Sequence, residues 1–127
     1  MTGQEFEQLV ARLLVRDGWT QVRVDGGAGD LGADVTARHP SDGTLLVVQC
    51  KRYGRRNVSS PDLQRFLGTV VHHHGARHPW FATTSGFTRP AVDLASRGGV
   101  VLIDRQALAG CMAGAAPTTS SQLPQPS

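Results

Sequence analysis

Gln49 and Lys51 stand two residues apart at the end of the run Leu45-Leu46-Val47-Val48-Gln49-Cys50-Lys51. On a β-strand that spacing sends both side chains out of one face, with Cα atoms about 6.5 Å apart. Asp34 lies on the preceding extended segment, and antiparallel pairing of the two segments would bring its carboxylate to the same place. Glu7, on the first helical segment, is a candidate fourth member. A carboxylate, a carboxamide oxygen and a lysine gathered at the end of a central strand suit hydrolysis of a phosphodiester assisted by a hard divalent cation. Magnesium selects oxygen ligands and keeps several waters, so one or two carboxylates and the substrate's own phosphate complete its shell. In such a site Asp34 is the principal metal ligand, Gln49 contributes a neutral oxygen or positions the water, and the Cys50 carbonyl is a further ligand. Lys51 would orient the attacking water, lower its pKa or neutralise charge building on the phosphoryl group. Glu7 would support the ion's hydration or hold a second ion.

The charge inventory singles out the same lysine. Of 13 basic residues only Lys51 is a lysine, and the rest are arginine. Arginine replaces lysine wherever a permanent charge suffices, but not where a compact ammonium of adjustable pKa is needed. Arg52, Tyr53, Arg55 and Arg56 follow directly and are candidates for phosphate contact, although such a run is usually only a solvated loop. Arg89, opening a later helix behind Phe87 and Thr88, is a weaker candidate of the same kind. The net charge of +3 permits an anionic partner without proving one.

Three other patterns compete for attention. Gly27-Ala28-Gly29-Asp30-Leu31-Gly32 formally matches the dinucleotide fingerprint, but that motif needs a following helix and Ala33 to Arg38 reads as a strand. Asp30, inside the glycine turn, is best explained by local backbone bonds. His72-His73-His74 looks like a metal tract, yet adjacent helical residues diverge, and a helix C-terminus that favours cationic side chains explains it better. Cys50 and Cys111 are in no CxxC pair and read as small core residues of a reducing compartment.

The elements that must position these groups follow from periodicity. The 127 residues, 39% hydrophobic and 18% charged, suit one compact domain. Phe6, Leu9, Val10, Leu13 and Leu14 predict an amphipathic helix from about Gly3 to Arg16. Strands are predicted over Trp19–Val24, Ala33–Arg38 and Thr44–Lys51, the last two joined by a turn at Pro40-Ser41-Asp42-Gly43. Leu45 to Val48 is apolar on both faces, as in a central strand covered on both sides. Ser59-Ser60-Pro61-Asp62 starts a helix that runs to Gly75. Trp80–Thr84, Thr88–Arg97, Val100–Ile103 and Arg105–Met112 complete an α-β-β-β-α-β-α-β-α order, an α/β domain whose sheet begins antiparallel and ends with crossovers. The domain is expected over 1–112, with a disordered tail over 113–127 rich in Pro, Ser, Thr and Gln. With no basic segment ahead of an apolar run and no stretch of about 18 apolar residues, a cytoplasmic location is expected.

The series Phe6-Glu7, Gly18-Trp19, Gly29-Asp30-x-Gly-x-Asp34, Val48-Gln49-Cys50-Lys51-Arg52-Tyr53 and Thr84-x-x-Phe87-Thr88 closely resembles the Mrr-type restriction endonuclease domain of the PD-(D/E)xK nuclease superfamily. The likeness runs from about residue 3 to residue 110. It implies a restriction-endonuclease-like core, a central mixed β-sheet flanked by helices on both faces. It also implies Mg²⁺-dependent DNA cleavage, with Mn²⁺ as a substitute, Asp34, Gln49 and Lys51 as catalytic positions and Glu7 as the helix acid. Two departures stand out. Ala33 replaces the proline usual before the aspartate, and the acid usual at position 49 is an amide, as in the Mrr group itself, which removes one negative charge from the metal site. The expected alternatives are a noncatalytic DNA-binding module of the same fold and a Holliday junction resolvase. Duplex scission by one active site needs a second subunit, so a homodimer or a separate recognition subunit is expected.

Overall fold

The computed structural model describes residues 1–24 and 34–114. The glycine turn with Asp30, the residue Ala33 and the tail beyond Gly114 lie outside the described residues. Within them the chain runs α1 (Gly3–Arg16), β1 (Thr20–Val24), β2 (Val35–Arg38), β3 (Leu45–Lys51), α2 (Ser60–Arg65), a π-helical stretch (Phe66–Val71), α3 (His72–His74), β4 (His78–Thr83), α4 (Arg89–Gly98), β5 (Val101–Ile103) and α5 (Arg105–Met112). The strands form one sheet in the order β1-β2-β3-β4-β5, antiparallel from β1 to β3 and parallel from β3 to β5.

Helix α1 starts where Thr2 and Glu5 cap each other reciprocally, and its stripe Phe6, Leu9, Val10 and Leu14 turns inward. With Ala107 and Leu108 of α5 that stripe covers one face of the sheet, meeting Val35, Ala37, Leu46, Val48, Trp80 and Ala82. Leu63, Phe66 and Val70, with Ala91 and Ala95 of α4, cover the other face over Val47 and Phe81. Strand β3 is thus central and apolar on both sides, as its sequence implies.

The predicted helix from Ser60 to Gly75 does form, but a π-helical stretch interrupts it at Phe66–Val71. Gly75, in the left-handed region at φ 63, ends it after the histidines. Gly98 lets α4 approach that helix closely, since a Cβ there would lie 3.1 Å from Leu67 Cδ1.

Strand β1 departs from the expected alternation. Trp19 precedes it and is buried, and the register slips between Thr20 and Arg23, which pair with Arg38 and Thr36. Gln21 absorbs the slip with φ 51, a left-handed conformation rare outside glycine. Because of it, Trp19, Val22 and Val24 all reach the α1 side, although their spacing does not fit a two-residue period. No residue of β1 or β2 joins the second cluster, so among the described residues no helix packs an apolar face over the outer side of this hairpin.

Candidate active site

Asp34 immediately precedes β2, and its N–H donates to the Val48 carbonyl at 3.1 Å. Two residues further along β3, the Cys50 N–H has no backbone acceptor in β2. The Asp34 carboxylate takes that place, with Oδ2 accepting from the Cys50 N–H at 2.8 Å and from Gln49 Nε2 at 3.0 Å. The acid and the amide predicted to converge are therefore in direct contact. The register Val35↔Val48 sets Asp34 directly across from Gln49.

Gln49 is buried, and with its nitrogen on Asp34 its carbonyl oxygen is the atom left to ligate. Lys51, two residues on, leaves the same face and is half-buried. Among the described residues no hydrogen bond or ion pair occupies its ammonium. Thr83, fully buried, pairs across from Lys51 on β4 and bonds Ser85 through its hydroxyl at 3.0 Å. Sequence reading did not single out this pair; Thr83-Thr84-Ser85-Gly86 at a strand end was its only signal.

Cys50 points the other way, toward α1. Burial pushes its thiol well above the ordinary range, and the nearby carboxylates of Asp34 and Glu7 push it further. Glu7, half-buried on α1, therefore approaches the same strand end from the helix side, across the sheet from Gln49 and Lys51. A residue's N–H and C=O leave a strand on the same edge. The Cys50 carbonyl accordingly faces the edge where its N–H meets Asp34. The Asp34 carboxylate, the Gln49 amide oxygen and this carbonyl make an all-oxygen donor set, which fits a hard divalent cation. Among the described residues no group of three or more His, Cys, Asp or Glu gathers to hold a metal; an amide and a carbonyl make up the set here.

The basic loop after Lys51 is divided. Arg56 donates to both Asp62 oxygens, at 3.0 and 3.3 Å, and its guanidinium lies 4.6 Å from the centre of the Tyr53 ring. Burial opposes ionisation of Asp62, but bonds from the Ser59 N–H and hydroxyl, and then Arg56, outweigh it and hold the carboxyl below its usual range. Tyr53 packs against the second apolar cluster. These two candidates for phosphate contact are thus engaged by the fold itself. Arg52 and Arg55 are exposed, and Arg55 shares a cleft with Arg105. Arg89 is exposed and lies 3.9 Å from Asp93 one helical turn on.

Comparison with known proteins is consistent with this geometry. The family model described as a restriction endonuclease, Mrr_cat, matches residues 1–112. No curated protein matches. Among solved structures, a protein of unknown function, AF1548, is 21% identical with a TM-score of 0.67, covering 81% of this chain and 58% of that one. The DNA modification-dependent restriction endonuclease AspBHI is 21% identical with a TM-score of 0.66, covering 91% of this chain and 32% of its own. The MspJI restriction endonuclease, solved with a 27-mer oligonucleotide, is 23% identical with a TM-score of 0.62, covering 85% and 27% respectively. The chain thus spans less than two thirds of the length of AF1548 and about a third or less of the other two, and at these identities the likeness establishes the fold alone.

Proposed function

This chain belongs to the Mrr_cat restriction endonuclease family, and from that premise we propose that it hydrolyses phosphodiester bonds in DNA with a divalent cation, Mg²⁺ or in its place Mn²⁺. The observation that carries the reading is the contact of Asp34 with Gln49 at 3.0 Å, with Lys51 leaving the same face two residues on. The Asp34 carboxylate, the Gln49 oxygen and the Cys50 carbonyl would hold the ion, which when bound supplies Lewis-acid polarisation of the phosphate and a more acidic water. Two donors on Asp34 Oδ2 fix the orientation of the carboxylate before substrate arrives. The same hydrogen bond engages the Gln49 nitrogen and leaves its oxygen as the ligating atom. Lys51 brings an unengaged ammonium to the reacting phosphate, where it orients the attacking water or offsets charge on the phosphoryl oxygens. Glu7, beside Cys50, would support the site from the helix side. Arg52, Arg55 and Arg89 are available for phosphate contact.

Cutting both strands of a duplex calls for two such sites, so the working unit is a homodimer or a complex with a recognition subunit. No helix among the described residues is long and apolar enough to cross a membrane, and with two free cysteines we place the activity in the cytoplasm.

Purified protein incubated with modified and unmodified supercoiled plasmid under Mg²⁺, Mn²⁺ or chelator tests the reading. Metal-dependent nicking or linearisation that vanishes in Asp34→Ala and Lys51→Ala is expected. DNA binding without cleavage under any metal would establish a noncatalytic module instead, and cleavage confined to four-way junctions a resolvase.

A further inference from the structure

We propose that the uncovered face of the β1–β2 hairpin carries the phosphate backbone of the same DNA away from the cut site, with Arg23 and Arg38 as its contacts. This rests on the nuclease reading and adds a path for the substrate. Val35 and Ala37 of β2 point into the α1-side core, so Asp34, Thr36 and Arg38 leave by the opposite face. Arg23 sits directly across from Thr36, and Thr20 across from Arg38. A polar track therefore starts at the catalytic carboxylate, reaches Thr36 and Arg23 after about 7 Å and Arg38 after about 13 Å. Gln21, Arg23, Thr36 and Arg38 line a concavity there of about 350 Å³, rimmed by His74.

Two observations point to an anionic occupant. Arg23 and Arg38 occupy diagonal positions on neighbouring strands, where like charges repel. Neither has an ion-pair partner among the described residues. Arg38 donates to the Gly43 carbonyl at 3.2 Å, which holds its guanidinium in place without neutralising it. The nearby Asp42 carboxylate is taken up by the N–H and hydroxyl of Thr44. Second, the strand slips to present these groups: the register shift at Gln21 puts Thr20 and Arg23, three residues apart, opposite Arg38 and Thr36, two apart. A bulge that re-aims side chains beside a site is a recurrent device. A polyanion lying along this face would relieve the repulsion and would be held on the face the carboxylate serves.

The test is duplex binding by fluorescence anisotropy across a salt series, in parallel with plasmid cleavage. Each phosphate contact contributes about one to the slope of log affinity against log salt. The double variant Arg23→Gln, Arg38→Gln is expected to lose about two from the slope and to bind roughly ten- to thirtyfold more weakly near physiological salt. Arg23→Lys with Arg38→Lys should recover the slope, and Arg12→Gln, on the exposed side of α1, should match the wild type. If the double variant keeps wild-type affinity and slope while the wild type cuts DNA, the track is wrong and the nuclease reading stands. A wild type that neither binds nor cuts DNA overturns both.

Discussion

The two ends of the β2–β3 hairpin are built from similar residue types and reach opposite outcomes. At the turn end the polar groups close on one another. The His39 N–H bonds the Thr44 carbonyl, the Ser41 N–H bonds His39 Nδ1, and the Thr44 hydroxyl bonds Asp42 and meets His78 Nε2 at 2.7 Å. The rings of His39 and His78 stack at 5.7 Å, and Trp19 meets both edge-on. At the other end Asp34 and Gln49 bond each other through the Gln49 nitrogen, which leaves its oxygen out of that bond, and Lys51 has no partner among the described residues. Apart from the Trp19 indole N–H, the turn-end polar groups satisfy one another and stabilise a turn, whereas a site that leaves a cation and ligating oxygens unused is prepared for something else.

That contrast can be broken from either end. The largest effect is expected from Lys51→Ala and Asp34→Asn, each lowering the cleavage rate about 100- to 1000-fold. Asn keeps an oxygen for the Cys50 N–H, so thermal unfolding should scarcely move while plasmid cleavage collapses. Lys51→Arg separates two roles for the ammonium: near-normal rates mean that charge suffices, and a loss like that of alanine means that proton handling matters. Next comes the shared core, where Leu46→Ala, fully buried between the two ends, should cost about 2–5 kcal/mol in chemical denaturation. Thr44→Val removes the hydroxyl that Asp42 and His78 share, while the backbone N–H there keeps its bond to Asp42, and should cost about 1 kcal/mol, with the cleavage rate per folded molecule unchanged.

The smallest effect is a pH dependence. Burial and the neighbouring His39 lower the His78 pKa from 6.5, against the pull of Asp42. Since the unfolded chain then binds the proton more readily, stability from this group is complete above about pH 6.5 and declines as the pH falls through the lowered value. Melting curves between neutral and mildly acid pH should show that decline, and His78→Gln should flatten it.

Much of this arrangement was legible in the residues. The α1 stripe, the doubly apolar β3, the i, i+2 placement of Gln49 and Lys51 and the turn at residues 40–43 each follow from a local rule, and the sheet obeys them. Asp34 was located by pairing logic, but its bond to the Cys50 N–H was not, because a side chain that accepts from the neighbouring strand's backbone leaves no mark on the residue pattern. Arg56 and Tyr53 illustrate a second blind spot. A run of arginines does not reveal which one will find an acid six residues on, and Asp62 takes Arg56 only once α2 has begun. The slip at Gln21 was hidden for a related reason: glutamine carries no preference for left-handed backbone, and only the need to bury Trp19, Val22 and Val24 together imposes it. Arg23 was hidden with it, since its face depends on that slip.

The pairing of Val35 with Val48 has a consequence for how such a chain can change length. A single residue added or removed in the connection from His39 to Thr44 invites the partners to slide by one, which would set the Cys50 thiol where the Gln49 amide meets Asp34 and send Leu46 and Val48 to the opposite side of the sheet. Tolerance to insertion should therefore be poor at that short connection despite its exposure, because it acts as a spacer that meters the distance between acid and amide.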